Sequence, residues 1–140
     1  MTLKEFFKGD RFADLAGCEL TEIGEGYARA RLTVGEEHLN GGGVCQGGAL
    51  FTLADLAFAA AVNSHLVLTV STSSNITYFR SVRLGATVYA EAIELVDHRR
   101  MPYAEVRLTD EDGQLVAIFT SSGYRKQEYR LEGVLPPDGK

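Results

Sequence analysis

The stretch from His38 to Ser64, HLNGGGVCQGGALFTLADLAFAAAVNS, decides the fold. Its first half is rich in glycine, so we do not expect it to form a regular element. In its second half, apolar residues recur at steps of three and four, which predicts a helix with one apolar stripe. The stripe consists of Leu50, Leu53, Ala54, Ala57, Phe58 and Ala61. The sequence therefore predicts a glycine-rich loop that leads directly into the main helix.

Two features of this stretch suggest chemistry. Gly47 and Gly48 stand where the loop becomes the helix, and the first N–H groups of a helix have no partner within it. A glycine has no side chain to shield those groups, so the join is suited to hold an oxygen that gains negative charge. Asp55 lies inside the apolar run LADLAFAAAV and is the only charged residue between Glu37 and Arg80. An unpaired carboxylate is costly to bury, so this isolation favours a functional role.

The rest of the chain predicts strands around this helix. Residues 3–16 are expected to form one or two short helical turns, broken at Gly9, that pack on the protein by their phenylalanines. Runs that alternate or are rich in β-branched residues predict strands at 18–23, 27–34, 66–79, 86–96, 103–109 and 115–121. One early helix followed by consecutive antiparallel strands is typical of an α+β fold, with the helix packed on one sheet.

The chain length predicts one domain over residues 1–140. Its last part, residues 125–140, is polar and is expected to be loosely held or to pack on a neighbouring chain.

Composition limits the partners. The formal net charge of −5 argues against nucleic acid. No apolar run approaches the ~20 residues of a membrane helix, and the N-terminus lacks the apolar core of a signal peptide. Cys18 and Cys45 suggest neither a disulfide framework nor a metal-ligand pair, so both are predicted to be reduced thiols. We therefore expect a cytoplasmic protein with no membrane or nucleic-acid partner.

With these residues described, the chain resembles the hotdog-fold acyl-CoA thioesterases of the phenylacetate-degradation (PaaI-like) type. Residues 38–64 are similar to that family's signature H-x-N-x-x-G-x-x-H-G-G followed by L-A-D. NITYFRSVRLG at 75–85 is similar to the next signature, and DRFADLAG at 10–17 to the N-terminal segment. The resemblance spans Phe6 to Tyr124.

The resemblance implies a long central helix wrapped by a curved antiparallel sheet of about six strands. It also implies that two subunits pair edge to edge, that they share active sites at their interface, and that dimers pair into tetramers. The implied substrate is an acyl-CoA, and no metal or redox cofactor is implied. The acyl group stays open between aromatic and short-to-medium aliphatic.

The resemblance assigns catalytic roles to individual positions. Asp55 matches the carboxylate that acts as nucleophile on the thioester carbonyl or as general base for water. Gly47 matches the residue whose backbone N–H binds the carbonyl oxygen, and Asn40 matches the residue that orients the water or the carboxylate. Ser71 matches a hydroxyl residue contributed by the partner subunit, and Ser73, expected on the same strand face, is the second choice.

One position departs from the family pattern. Gln46 replaces the histidine that usually precedes the Gly-Gly pair, and a glutamine can donate a hydrogen bond but cannot carry a proton. The main alternative to a thioesterase is therefore a non-catalytic acyl-CoA-binding or regulatory hotdog domain. A hotdog hydratase is disfavoured, because it needs a catalytic histidine with an acidic partner and the loop and helix offer no suitable one.

The remaining candidates concern substrate binding. Gly48 and Phe58 are predicted to line the acyl and thioester site, and Arg80, Arg99 and Arg100 to bind the phosphates of coenzyme A. Every candidate also has a structural interpretation, which stays open at this point. The Asp55 carboxylate can point to water, and the glycines can be required for the dihedral angles of the helix entry. The Asn40 amide and the Ser71 hydroxyl can belong to loop and strand surfaces, and the arginines can be solvated charges in turns.

Overall fold

Six antiparallel strands form one sheet in the computed structural model, which describes residues 1–137. The strands are β1 (Glu19–Gly24), β2 (Tyr27–Thr33), β3 (Val67–Tyr78), β4 (Thr87–Val96), β5 (Tyr103–Thr109) and β6 (Leu115–Arg130). Their order is β1-β2-β4-β5-β6-β3, so β1 and β3 are the edges. The described residues also form the α-helices α1 (Leu3–Phe7), α2 (Arg11–Leu15) and α3 (Gly47–Val62). The predicted α+β hotdog architecture, one long helix wrapped by a curved sheet, is confirmed.

Helix α3 is buried along most of its length. All residues of the predicted stripe are buried, and so are Leu56, Ala60 and Val62 on the flanks of the helix. The strands face the helix with small side chains, so the helix can pack close to the sheet without leaving voids. The sheet contributes alanines that are at most 1% exposed: Ala28, Ala30, Ala90, Ala92, Ala104 and Ala117.

The same burial explains the apolar composition of this helix. Among the described residues, only Gly47–His65 is long and apolar enough to cross a membrane, with 19 residues and a mean hydropathy of 1.3. The expectation that no apolar run approaches the length of a membrane helix is therefore wrong. Because 61% of its apolar window lies inside the protein, the stretch serves here as a core helix.

The N-terminal segment forms two short helices on either side of Gly9, as predicted. The Asp10 side chain begins α2 by accepting a hydrogen bond from the Ala13 N–H at 3.0 Å. Phe7 packs against the core, whereas Phe12 is 66% exposed. The expectation that the phenylalanines all pack inward is therefore wrong for Phe12, because α2 turns this side chain outward.

The loosely held tail predicted for residues 125–140 is wrong as far as the structure describes it. Strand β6 continues to Arg130, because it pairs along the whole of the long strand β3. Beyond the strand, the Leu135 N–H donates to the Met1 carbonyl at 2.8 Å, so this segment packs on its own N-terminus. Residues 138–140 lie outside the described residues.

Arg125 is the clearest case of a residue misplaced by the tail prediction. Its side chain is 8% exposed and donates to Asp97 at 2.9 Å and to Glu94 at 3.2 Å. Glu94, itself 4% exposed, also bonds His65 at 2.7 Å. Burial raises the pKa of Glu94, against the opposing effects of the bond to His65 and the charge of Arg125. The arginine therefore balances a buried carboxylate where β4 and β6 meet the end of α3.

Replacing Arg125→Ala is expected to lower the free energy of unfolding by about 3 kcal/mol, because it leaves the Glu94 carboxylate buried without its cation. Denaturant unfolding measures this loss, and adding Glu94→Gln should recover part of it. Arg107→Ala, which breaks an exposed pair with Glu105, is the matched control and should cost less than about 1 kcal/mol. Equal costs for the two arginines would contradict the proposed balance of charge.

Candidate active site

The glycine-rich loop is held by its own hydrogen bonds. The Asn40 Oδ1 accepts from the N–H groups of Gly42 at 2.9 Å and Val44 at 3.2 Å. At the end of the loop, the Gln46 N–H donates to the His38 carbonyl at 2.8 Å. Asn40 thus has the turn-forming role left open by the sequence, while its Nδ2 makes no hydrogen bond to a described residue. That amide group remains free to bind a substrate or a water.

His38 fixes the base of the loop. Its side chain is buried, its Nδ1 accepts from the Gly35 N–H at 2.8 Å, and its Nε2 lies against the Ala16 carbonyl. A ring that accepts at one nitrogen and meets a carbonyl at the other is neutral, with the proton on Nε2. His38 is therefore a structural residue of the loop.

The first turn of α3 leaves two backbone donors open. Gln46 is the N-cap residue, and its side chain makes no capping bond. Its carbonyl accepts from the Ala49 N–H at 3.0 Å, whereas the N–H groups of Gly47 and Gly48 have no acceptor among the described residues. Gly47 is half-buried and Gly48 is exposed. Two adjacent donors at the positive end of a helix can bind an oxygen with developing negative charge.

Position 47 is glycine for reasons of space. Neither Gly47 nor Gly48 adopts the left-handed region, so the conformation itself does not demand glycine. A Cβ at position 47 would lie 2.7 Å from Cζ of Tyr78, whose hydroxyl donates to the Gly47 carbonyl at 2.8 Å. A Cβ at position 48 would meet only the mobile end of Gln46, at 2.8 Å from Oε1. The interpretation of the pair as a helix entry with special dihedrals is therefore wrong.

Asp55 lies further along α3 and is half-buried. Its carboxylate makes no hydrogen bond or ion pair to any residue in the described part of the chain. Burial raises its pKa, and the nearby charge of Asp10 raises it further. Eight residues of helix separate it from Gly47, which is about 12 Å along the axis. The carboxylate and the Gly47 N–H of one chain therefore cannot act on the same carbonyl group.

The two serine candidates do not share a strand face. Ser71 pairs with Gly123, where an added Cβ would lie 3.5 Å from Cζ of Phe58, so this pair faces the helix. The register shifts between Ser71 and Ser73, and Ser73 pairs with Ser122 on the opposite face. The prediction that both serines point the same way is wrong, because a bulge in β3 inserts one residue between them.

The candidates for substrate binding are scattered over the chain. Phe58 is 1% exposed and packs against Phe119 with 6.2 Å between ring centroids, so in this chain it belongs to the core. Arg80 is exposed and stands two residues beyond Tyr78, whose hydroxyl bonds the Gly47 carbonyl. Arg99 and Arg100 lie in the turn between β4 and β5, where the Arg100 carbonyl accepts from Arg125. This turn is at the opposite end of α3, so one chain does not bring these two arginines to the glycines.

Sequence reasoning missed one residue of the site, Tyr78. The only signal for it was an aromatic residue in the motif NITYFRSVRLG, and its contact with Gly47 joins positions 31 residues apart. The two cysteines are free thiols, as predicted, and both are buried. Burial raises the pKa of Cys18 to about 12. The pKa of Cys45 is raised by the same cause, which disfavours it as a nucleophile.

Gly47→Ala is expected to lower the free energy of unfolding by about 1–3 kcal/mol, because the new methyl group overlaps the Tyr78 ring. Gly48→Ala is the matched control and should be close to neutral, since the Gln46 side chain can move away. Denaturant unfolding compares the two, and the cost of Gly47→Ala should largely vanish in a Tyr78→Ala background. Equal costs for both glycines would refute the steric explanation.

Asp55→Asn is expected to stabilise the protein at pH 7. The pKa of Asp55 in the folded state lies above the ordinary value of 3.8, which applies to the unfolded chain. The free energy of unfolding therefore falls as the pH rises from the unfolded-state pKa through the folded-state pKa, and it stays low above that. The variant lacks this loss, so its melting temperature should exceed that of the wild type at pH 7, and the gap should close below about pH 4. Glu111→Gln, in an exposed turn, is the control. A gap that does not depend on pH would contradict the burial of an ionised carboxylate.

Comparison with known proteins shows the family to which the chain belongs. Residues 42–117 match the model of the thioesterase superfamily. The chain is 30% identical to the acyl-coenzyme A thioesterase PaaI of Escherichia coli over 119 residues, which covers 85% of each protein. The structure of that protein superposes with a TM-score of 0.83 and covers 86% of this chain and 88% of the other.

Two further solved structures are similar. The TT0310 protein of Thermus thermophilus is 37% identical with a TM-score of 0.80, over 83% of this chain and 97% of the other. A Streptococcus mutans protein solved with bound acetyl-CoA is 26% identical with a TM-score of 0.77, over 81% of this chain and 90% of the other. The chain therefore belongs to the thioesterase superfamily and is a PaaI-like hotdog thioesterase.

Proposed function

We propose that the protein hydrolyses an acyl-CoA thioester to a free acid and coenzyme A, in active sites shared by two copies of the chain. The observation that carries the proposal is the pair of open N–H groups at Gly47 and Gly48, on the same helix as the unpaired carboxylate of Asp55. The similarity to a named acyl-CoA thioesterase and to a protein solved with acetyl-CoA supports the substrate class.

The open donors stabilise the transition state. The thioester carbonyl oxygen accepts a hydrogen bond from the Gly47 N–H, and the Gly48 N–H lies beside it as a second donor. Negative charge grows on this oxygen as the carbonyl carbon is attacked, so the bond strengthens in the transition state. The positive end of the α3 macrodipole acts in the same direction.

Asp55 supplies the attack. As a nucleophile, its carboxylate forms an anhydride with the acyl group and releases the coenzyme A thiolate, and water then hydrolyses the anhydride. As a general base, it takes a proton from water, whose oxygen attacks the carbonyl carbon directly, and the C–S bond then breaks to release the coenzyme A thiolate and the free acid. In both routes the carboxylate must be ionised, and the raised pKa of Asp55 makes it a stronger base than an ordinary aspartate.

The separation along α3 requires a second subunit. Because about 12 Å of helix separates Gly47 from Asp55, the carbonyl held at one Gly47 must meet the partner's Asp55. Strand β3 offers the surface for such a pair, since it is a sheet edge of twelve residues with unpaired backbone groups and an exposed Val70. A two-fold axis across this edge would place the two α3 helices antiparallel. We propose a homodimer of this kind, which pairs further into a tetramer.

The proposed dimer also brings the candidate substrate-binding residues of two chains together. Antiparallel pairing across β3 brings the end of one sheet that carries Arg99 and Arg100 toward the Gly47 end of its partner, where phosphates of coenzyme A can reach them together with Arg80. The same pairing places the partner's Ser71 near the site. Asn40 positions the attacking water through its free Nδ2. Phe58 would limit the acyl site from within the core.

The proposed chemistry needs water and these side chains, and no metal or redox cofactor takes part. Two free buried thiols, Cys18 and Cys45, fit a reducing compartment, which supports a cytoplasmic location.

One observation favours a second function. Gln46 stands where the family carries a histidine, and its amide makes no hydrogen bond to a described residue. It can support the thioester end by a hydrogen bond but cannot transfer a proton. The alternative is therefore a domain that binds or senses acyl-CoA without turnover.

A thiol-release assay on aromatic and aliphatic acyl-CoAs tests the enzyme against this alternative. The wild type should turn over, with an acid limb displaced upward because the pKa of Asp55 is raised, and Asp55→Asn should lose about 10²–10⁴-fold in kcat. Gln46→His measures what the substitution costs. A wild type that binds a non-hydrolysable acyl-CoA without turnover, beside an active Gln46→His, would favour the binding domain.

Mixed oligomers test the shared site. Chains carrying Asp55→Asn or Gly47→Pro are co-expressed with different tags, and doubly tagged dimers are isolated. Proline is chosen because it removes the proposed donor N–H and is tolerated in the first turn of a helix. Such a dimer has one site with both groups intact, so it should regain about half of the wild-type activity while each variant alone stays nearly inactive. No recovery in the mixed dimer would show that each site lies within one chain.

A further inference from the structure

We propose that Tyr78 is a positioning residue of the thioesterase site, which holds the peptide between Gly47 and Gly48 so that the open N–H groups face the substrate carbonyl. The inference rests on the proposed function of those groups and adds a residue from a different element of the fold. It assigns the work of orienting the two glycines to the last residue of β3.

The contact is direct. The Tyr78 hydroxyl donates to the Gly47 carbonyl at 2.8 Å, and its ring lies where a Cβ on Gly47 would stand, 2.7 Å from Cζ. Tyr78 pairs with Ala117, which is fully buried in the core, so the tyrosine projects from the helix-facing side of the sheet. It therefore reaches across the gap between the edge strand and the first turn of α3.

The covalent geometry turns this contact into control of a donor. The Gly47 carbonyl and the Gly48 N–H belong to one planar peptide group, so a bond that fixes the oxygen also fixes the direction of the N–H. The Gly47 N–H lies in the adjoining peptide, joined to it at a single Cα. Fixing the Gly47–Gly48 peptide plane also restricts the orientation of the Gln46–Gly47 peptide plane, because only the two backbone dihedral angles of Gly47 lie between them.

Two consecutive glycines need such a constraint. Glycine has more backbone freedom than any other residue, and the N-cap residue Gln46 provides no side-chain bond that would stiffen the turn. A mobile N–H donor stabilises the transition state less, because it must be oriented when charge develops on the carbonyl oxygen. A donor that is already held in place needs no such reorientation. Tyr78 thus provides from outside the helix what the sequence of the first turn lacks.

The hydroxyl also strengthens the donor electrically. A hydrogen bond accepted by a peptide carbonyl polarises that peptide and makes its N–H more acidic. Desolvation raises the pKa of Tyr78, so the hydroxyl keeps its proton at neutral pH. The same tyrosine therefore aims the Gly48 N–H and increases its positive charge.

The position of Tyr78 separates this role from a structural one. The residue is 45% exposed at the end of an edge strand, so loss of its hydroxyl removes no core packing. Tyr103 gives a matched control on β5, with 38% exposure and no hydrogen bond from its hydroxyl to a described residue.

Steady-state kinetics provide the first test. Tyr78→Phe should lower kcat about 3- to 10-fold, as expected for the loss of one neutral hydrogen bond, and change KM less than about twofold. The acid limb of the pH profile should stay in place, because Asp55 is unchanged. Tyr103→Phe should match the wild type. An unchanged kcat in Tyr78→Phe, or a fall equal to that in Tyr103→Phe, overturns the role.

Glycine amide spectra test the same role without turnover. In protein labelled with ¹⁵N-glycine, Tyr78→Phe should move the resonances of Gly47 and Gly48. It should leave in place those of Gly26 and Gly133, which lie near Ser64 and Leu66 at the opposite end of α3. Unmoved Gly47 and Gly48 resonances overturn the inference whatever the activity. A wild type that hydrolyses no acyl-CoA instead contradicts the proposed function, so the two failures are distinguishable.

Discussion

The burial of α3 inside the curved sheet is the constraint on which the rest of the structure depends. A helix enclosed in this way must be apolar on several sides and must meet small residues on the strands, which explains the run of alanines on both partners. The sheet buries the apolar side chains of α3 but offers no hydrogen-bond acceptor to its first N–H groups, because these point out of the end of the helix. The open donors at Gly47 and Gly48 are thus a consequence of the same packing.

Enclosure also makes Asp55 unusual. A carboxylate on the flank of a buried helix loses hydration, and no described residue offers it a cation or a donor in return. We therefore expect Asp55 to destabilise the isolated chain, as is typical of sites where reactivity is retained at the expense of stability. In contrast, the buried carboxylate of Glu94 has Arg125 and His65 beside it, as a structural acid requires.

In the proposed mechanism, one chain alone does not form a complete thioesterase site. The donors and Asp55 lie on one helix but two turns apart, and Arg99 and Arg100 lie at the far end from the glycines. Strand β3 carries Tyr78 at the glycine end of the site, and as an edge strand it has backbone groups that pair with no described strand on its outer side. Function in this fold is thus proposed to depend on how one edge is paired.

The sequence by itself determined the long helix, the positions of the strands along the chain and their antiparallel type, and the candidates Gly47 and Asp55, because hydrophobic period and an isolated charge are local signals. It could not determine the length of β6, the burial of Arg125 or the bulge that separates Ser71 from Ser73. Each of these follows from pairing with β3, a contact between segments about fifty residues apart. The same holds for Tyr78, since only the tertiary structure decided that the end of a strand would meet the start of α3.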